Sequence, residues 1–212
     1  MEKFLPLDES GITLATKGLY NGDIVAFPTD TVYGIAARAD DPDALDKLYN
    51  LKERSFDKPL PLCLAHKHAA DSYAEVSPTA RRLMEVFWPG ALTIVMPALS
   101  VFRLAPHVYG PDDTIALRRP NAPIIDFLSA MSIHLPLALT SANLSGQPEA
   151  RSAHEIDKTI GEHIRFIIDG GTLARAKPST IVKVIGDQLT ILREGDITEA
   201  QLRGALSNET VA

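Results

Sequence analysis

The alternation of short apolar runs with longer amphipathic segments constrains the fold of this chain most. Apolar runs at 24–27, 60–65, 91–96, 114–118, 137–139 and 166–168 have the length and composition of buried strands. Residues 181–185 and 189–192 flank Gly186-Asp187-Gln188, which indicates a hairpin. Roughly seven strands interleaved with helices predict an α/β protein, and the hairpin makes its open sheet mixed.

Helix-start signals divide the segments between the strands. A helix ends near Tyr20 at Asn21-Gly22, and the other predicted helices begin at N-capping residues. Asp41 and Ser77 are two of these caps, and a proline follows each of them. Asn121 caps a predicted helix through Met131, and Ser152 forms a capping box with Glu155. Thr198, with Gln201, caps a last predicted helix over 198–207.

Length and composition predict one domain over residues 1–212. A chain of 212 residues with 45% hydrophobic content can bury a complete core. A single cysteine, Cys63, excludes an internal disulfide and favours a reducing compartment. The sequence has no secretory signal pattern and no run that could span a membrane. We therefore expect a cytoplasmic protein that does not associate with a membrane. A net charge of −6 argues against extended contact with a nucleic acid backbone.

A basic loop follows the helix that starts at Asp41. Within residues 51–60, Lys52, Arg54 and Lys58 precede Pro59, which cannot continue a helix. Lys52 and Arg54 can converge on one anion, because arginine supplies a rigid fork of donors and lysine a mobile point charge. Both lie past the predicted helix end, so we expect neither to belong to the core. An ordinary solvated loop is the alternative.

Polar turns follow two predicted strands, at the position where open α/β sheets bind ligands. Residues 28–34 (Pro-Thr-Asp-Thr-Val-Tyr-Gly) and 140–146 (Thr-Ser-Ala-Asn-Leu-Ser-Gly) concentrate hydroxyls beside small residues, although ordinary turns remain an alternative. Arg118-Arg119 and Arg193 end two further strands. Together these ends predict a concave cationic pocket without a Walker loop or a Gly-x-Gly-x-x-Gly motif.

Other chemistries are less favoured. His66 and His68 lie two residues apart with no further ligand at zinc spacing, so we predict no metal site. Cys63 lies within an apolar run and is interpreted as a core thiol. Ser141 lacks a nucleophile-elbow motif.

Seven motifs nevertheless occur in the order of a known family, across residues 22–195. They are residues 28–34, Lys52-x-Arg54 with Lys58-Pro-Leu60, Trp88-Pro-Gly-Ala-Leu-Thr93, Thr114-Ile-Ala-Leu-Arg118, Ser141-Ala-Asn-Leu-Ser-Gly146, Ser179-Thr-Ile-Val182 and Leu192-Arg193-x-Gly195. On these motifs the chain resembles the YrdC/TsaC family of threonylcarbamoyl-AMP synthases, in the short form that lacks an extra C-terminal domain.

The resemblance implies a twisted α/β sheet with a concave cationic cavity. It implies synthesis of threonylcarbamoyl-AMP and pyrophosphate from ATP, L-threonine and bicarbonate, with Mg²⁺ accompanying ATP, for the threonylcarbamoyladenosine modification of tRNA. By motif position, threonine is expected at Thr31, Arg118, Ser141 and Ser179. The nucleotide is expected at Lys52, Arg54, Lys58, Thr114, Asn143 and Arg193, with Lys52 and Arg54 catalytic.

The chain also departs from the family pattern. Cys63 stands where many relatives carry histidine, Ser55 where proline often follows the arginine, Arg151 where serine or threonine often contacts nucleotide, and Lys177-Pro178 where others have glutamate. Contact with tRNA and with the downstream threonylcarbamoyl-transferase complex is a further expectation. The alternatives are a non-catalytic RNA-binding or regulatory relative, and a carbamoyl-adenylate domain like that of hydrogenase maturation proteins.

Overall fold

The strands of this chain form one mixed sheet in the computed structural model, which describes residues 2–99, 104–131, 136–174 and 177–207. Its described strands are β1 (Phe4–Pro6), β2 (Val25–Pro28), β3 (Tyr33–Arg38), β4 (Leu62–Cys63), β5 (Leu92–Pro97), β6 (Tyr109–Gly110), β7 (Thr114–Arg118), β8 (Leu137–Ser141), β9 (Phe166–Asp169), β10 (Thr180–Ile185) and β11 (Gln188–Arg193). The described helices are α1 (Glu9–Tyr20), α2 (Pro42–Leu51), α3 (Pro78–Phe87), α4 (Pro123–Ala130), α5 (Ala153–Ile160) and α6 (Glu199–Ser207).

The strand order is β1-β9-β2-β3-β8-β4-β7-β5-β10-β11, and β6 pairs with β7. β9 is parallel to β1 and β2, β4 to β7, and β10 to β5, whereas the other pairs are antiparallel. The predicted mixed α/β sheet is therefore confirmed. Antiparallel pairs occur at its centre as well as in the predicted β10–β11 hairpin.

Side chains alternate between two apolar layers because successive residues of a strand point to opposite faces of the sheet. In β2, Ala26 packs in the layer with α2, α3, α5 and α6, while Val25 and Phe27 pack in the layer with α1 and α4. Helix α1 contacts β1, β9, β2 and β3, which lie towards one end of the sheet.

The predicted helix caps are confirmed at four of the five sites. Asp41, Ser77, Ser152 and Thr198 each accept a hydrogen bond from a backbone N–H of the first helical turn. The prediction for Asn121 is wrong, because the N-cap of α4 is Ala122, without a side-chain bond. The backbone of Asn121 instead forms two hydrogen bonds with Asp30. Its N–H donates to the Asp30 carboxylate at 3.0 Å, and its carbonyl accepts from the Asp30 N–H.

Three of the described strands were not predicted from the sequence, and β6 is one of them, with only two residues. β3 begins inside the polar stretch that was interpreted as a turn, and Tyr33 through Ala37 are all buried, so the strand shows no alternation of polar and apolar residues. β1 is only three residues long. Among the described residues, no helix is long and apolar enough to cross a membrane.

Candidate active site

A cavity of about 290 Å³ opens on the face of the sheet that carries α1 and α4, beyond the strands that α1 covers. Its floor consists of small or apolar side chains whose strand neighbours point into the opposite layer, among them Val95, Ala116 and Ile181. Six predicted site residues line this cavity: Thr31, Arg54, Arg118, Ser141, Ser179 and Arg193.

Arg118 ends β7 at one side of the cavity and is neutralised there. Its Nη2 donates to Asp30 Oδ1 at 2.8 Å and to Thr31 Oγ1 at 3.1 Å, and its Nε donates to the Gly90 carbonyl at 2.9 Å. The backbone N–H of Asn121 donates to the same Asp30 oxygen. These bonds fix the stretch after β2 against the end of β7.

Arg193 ends β11 on another wall, where its guanidinium donates to Ser179. The contacts are Nη2 to the Ser179 carbonyl at 2.8 Å and Nε to the same oxygen at 3.2 Å. The Ser179 hydroxyl lies 3.0 Å from that of Thr93, which also lines the cavity. Burial, together with the charges of Arg118 and Arg54, lowers the pKa of Arg193, while the charge of Glu149 opposes this shift.

The wall around Arg193 is held by the fully buried residue Thr180. Its hydroxyl accepts from the N–H groups of Gly195 and Ile197 and donates to the Ile197 carbonyl at 2.5 Å. A Cβ at Gly195 would lie 2.2 Å from the Pro178 carbonyl oxygen. The motif glycine is therefore required by close backbone approach, since no positive φ angle is involved.

Arg54 is oriented by carbonyl groups of its own loop. Its Nε donates to Lys58 O at 2.9 Å and its Nη2 to Pro59 O at 3.1 Å. The buried Tyr49 hydroxyl donates to the Lys58 carbonyl as well, at 2.7 Å. Phe56 stacks on the Tyr49 ring at a centroid distance of 4.7 Å. The loop is thus braced against α2, with Arg54 facing the cavity.

Lys52 does not match the prediction that it lies outside the core. It is 2% exposed, and its Nζ donates to the Ser141 carbonyl at 2.5 Å and the Asn143 carbonyl at 2.6 Å, with Asn143 Oδ1 at 3.4 Å. Lys52 is close to α2's last turn, and its buried stem places the ammonium behind the Ser141 turn. Burial, and secondarily the charge of Arg54, lowers the pKa of Lys52 to about 8.

The remaining predicted nucleotide residues lie outside the lining of the cavity. Lys58 is exposed, and the buried Thr114 donates its hydroxyl to the Pro111 carbonyl at 2.7 Å. Asn143 is buried directly behind Ser141, whose hydroxyl donates to Asn143 Oδ1 at 2.5 Å. Roles for these residues in nucleotide binding stay predictions.

Sequence reasoning missed four polar residues of the site. Thr29, Thr93 and Thr140 line the cavity, and Asp30 neutralises Arg118. Thr29 and Asp30 belong to the polar stretch 28–34, and Thr93 ends the Trp-Pro-Gly-Ala-Leu-Thr motif, so the motifs contained the signal. Without the order of strands in the sheet, a strand hydroxyl that faces the cavity cannot be distinguished from one that is buried in the core.

Cys63 and Arg151 show what two of the departures do in this chain. Cys63 is buried at the cavity floor, and burial raises the pKa of its thiol to about 12, in line with the interpretation as a core thiol. The Arg151 guanidinium donates to the Leu173 and Ala174 carbonyls. It therefore ties the loop before α5 to the segment after β9.

Comparison with known proteins shows the family to which the chain belongs. The model of the Sua5/YciO/YrdC family, described as "Telomere recombination", matches residues 17–195. The chain belongs to the Sua5/YciO/YrdC family. It is 40% identical over 185 residues to a putative threonylcarbamoyl-AMP synthase of Methanocaldococcus jannaschii, covering 85% of this chain and 84% of that one.

Longer relatives share the same region. The chain is 36% identical over 203 residues to the threonylcarbamoyl-AMP synthase of Bacillus subtilis, which covers 95% of this chain but 58% of the relative. The crystal structure of Pyrococcus abyssi Sua5 complexed with L-threonine superposes with a TM-score of 0.87 at 32% identity, over 96% of this chain and 60% of that one. The α/β fold of this family is thus shared over almost all of the chain.

Proposed function

We propose that this chain is a threonylcarbamoyl-AMP synthase, an enzyme that converts ATP, L-threonine and bicarbonate into threonylcarbamoyl-AMP and pyrophosphate. Its relatives carry this activity in their names, and a relative of the same fold was crystallised with L-threonine. These similarities support an enzyme over a non-catalytic RNA-binding or regulatory protein.

One observation carries the proposal, namely the division of the cavity into two electrostatic regions. Arg118 is paired with Asp30 beside the hydroxyl of Thr31, so this region is close to neutral and suits a zwitterionic amino acid. Arg54 and Arg193 bond to carbonyl groups and, for Arg193, a hydroxyl, so their charges stay available for a polyphosphate.

The reaction needs positioned reactants more than a protein nucleophile. The threonine amine forms a C–N bond with CO₂ and releases a proton to water, or it forms that bond with bicarbonate and a water molecule leaves. An oxygen of the resulting carbamate then attacks the α-phosphorus of ATP. The bond to the β-phosphate then breaks, and pyrophosphate leaves with the negative charge. Arg54 and Arg193 would stabilise that charge, and the walls of the cavity would hold the carbamate in line.

Magnesium would enter as part of the MgATP substrate. Among the described residues, no group of three or more His, Cys, Asp and Glu side chains is arranged for a metal ion, and Asp30 is engaged by Arg118. The phosphate oxygens of ATP are therefore the ligands we propose for it. The product would serve threonylcarbamoyladenosine formation in tRNA through the downstream transferase complex. The lone cysteine favours the cytoplasm for this work.

The test is pyrophosphate release by the purified protein with ATP, Mg²⁺ and bicarbonate, with and without L-threonine, followed by mass analysis of the products. We expect release that depends on threonine, together with the mass of threonylcarbamoyl-AMP. Release that is equal without threonine, or a different adduct mass, would contradict the proposal.

A further inference from the structure

The ammonium of Lys52 is surrounded by protein oxygen atoms. A lysine ammonium has three N–H donors, and three acceptors surround this one: the carbonyls of Ser141 and Asn143, and Asn143 Oδ1. The two carbonyl contacts are short, at 2.5 and 2.6 Å, and the contact with Asn143 Oδ1 is longer, at 3.4 Å. With 2% exposure and no place in the lining of the cavity, the Lys52 ammonium is directed at the protein and not at a ligand.

The backbone of Lys52 holds the same turn from the other direction. The N–H of Ser145 donates to the Lys52 carbonyl at 2.9 Å, so the residue both donates to and accepts from residues 141–145. Its own N–H donates to the Leu48 carbonyl of α2. Lys52 therefore joins the end of α2 to the turn after β8 through its side chain and its main chain.

The turn depends on these bonds because its other polar groups are engaged internally. Ser141 Oγ donates to Asn143 Oδ1, and Asn143 Nδ2 donates to the carbonyls of Leu144 and Gln147. Without the ammonium, three carbonyl-type oxygens would converge on an empty position. Repulsion among these dipoles and the loss of charged hydrogen bonds would shift Ser141, whose hydroxyl faces the cavity.

We propose that Lys52 is a positioning residue that builds the Ser141–Asn143 turn, and that it does not bind the nucleotide directly. This inference rests on the proposed function for its catalytic consequence. Arg54, two residues away, is then the member of the Lys-x-Arg motif that faces the substrate. In this motif, Lys52 bonds to protein carbonyl groups and Arg54 is available to bind the ligand.

Hydrogen exchange in the ligand-free protein tests the proposal without any turnover. Lys52→Met keeps most of the aliphatic stem and removes the three donors, whereas Lys47→Met makes the same change at an exposed lysine of α2. We expect the amides of residues 143–147 to exchange about tenfold faster or more in Lys52→Met, the size expected for loss of a charged hydrogen bond. Lys47→Met should leave them unchanged.

Kinetics separate positioning from direct binding. If Lys52 builds the turn, Lys52→Met raises KM for threonine as well as for ATP, because Ser141 moves. Unchanged exchange together with a higher KM for ATP alone would overturn the proposal. Unchanged kinetics and exchange would also overturn it. Failure of the proposed function would appear separately, as absence of threonine-dependent product in the unsubstituted protein.

A measurement on the unsubstituted protein covers the case in which Lys52→Met does not fold. With ¹⁵N-labelled lysine, the Lys52 ammonium should give a signal protected from water before any ligand is added. Adding the non-hydrolysable analogue α,β-methylene ATP with Mg²⁺ should leave that protection in place. A signal that becomes protected only with the analogue would show direct binding and overturn the proposal.

Discussion

The Arg118 side of the cavity and the Arg54–Arg193 side use the same functional group under different electrostatic conditions. Arg118 forms an ion pair with Asp30, and their side chains are 10% and 18% exposed. Arg193 and Arg54 are held by carbonyl oxygens and, for Arg193, the Ser179 hydroxyl as well. A carboxylate orients a guanidinium and cancels its charge, whereas a carbonyl orients it and leaves the charge in place.

Under the proposed function, this difference would let one small cavity separate two substrates. Arg118 keeps unused N–H donors for a carboxylate, yet its pair with Asp30 reduces attraction for a polyphosphate. On the other side, two guanidinium groups that have no carboxylate hydrogen-bonded to them among the described residues, together with the buried Lys52, create a positive potential that the charge of Glu149 partly offsets. We therefore expect substitutions to affect the two substrates unequally.

Removing Arg118 should have the largest effect. Arg118→Gln removes donors for the threonine carboxylate and leaves the charge of Asp30 to repel it. We expect KM for threonine to rise roughly a hundredfold, which corresponds to about 3 kcal/mol for a charge pair that has lost one partner. Threonine titrations of pyrophosphate release measure this change. Adding Asp30→Asn should recover part of the thermal stability, because the carboxylate charge is then gone as well. An equal loss for ATP and threonine would remove the distinction between the two regions.

Arg193→Ala should raise KM for ATP by about thirtyfold, corresponding to loss of about 2 kcal/mol of charge-assisted bonding. KM for threonine should change little, because the Arg118 region is untouched. Initial rates over a range of MgATP concentrations provide the test. Arg203→Ala on α6 is the control, since that side chain is 72% exposed and pairs only with Glu199 among the described residues. A change confined to threonine would reverse our assignment of the two regions.

Raising the pH should weaken the Ser141–Asn143 turn that Lys52 holds, while it relieves the cost of burying a charge at Lys52. The pKa of Lys52 is lowered to about 8, so the unfolded chain binds more protons between about pH 8 and 10.5. Across that window this group makes the free energy of unfolding rise with pH. Meanwhile kcat/KM should fall through pH 8 for ATP and for threonine, because the deprotonated amine loses a donor to the Ser141–Asn143 turn. Lys52→Met should lack this basic limb; a limb retained in that variant would assign it to another group.

Salt should produce the smallest difference. Ionic strength screens uncompensated charges, with a Debye length of about 8 Å at 0.15 M, more than it affects a partly buried ion pair. KM for ATP should therefore rise with added KCl more steeply than KM for threonine. Parallel titrations in KCl at constant free Mg²⁺ measure both slopes, and equal slopes would argue against the charge asymmetry.

The sequence predicted the mixed α/β fold and six residues that line the cavity, because strand-end motifs report positions that the topology brings together. Lys52 was misjudged because a lysine after a helix end is usually solvated, and only the tertiary contact with residues 141–145 buries it. Asp30 was missed because its partner, Arg118, lies 88 residues further along the chain. Pairing over such a distance leaves no local pattern in a single sequence.

The close approach at Gly195 has a consequence for mutational tolerance. Any side chain there would meet the Pro178 carbonyl at 2.2 Å, although the backbone of Gly195 itself is unstrained. Gly186 of the β10–β11 hairpin is the reverse case, since its φ of +54 favours glycine or asparagine while nothing lies within 4 Å of an added Cβ. In a saturation library we expect asparagine to be accepted at 186 and every substitution to be rejected at 195. Two glycines nine residues apart would then be required for different reasons, Gly186 for its backbone torsion angle and Gly195 for the lack of space around it.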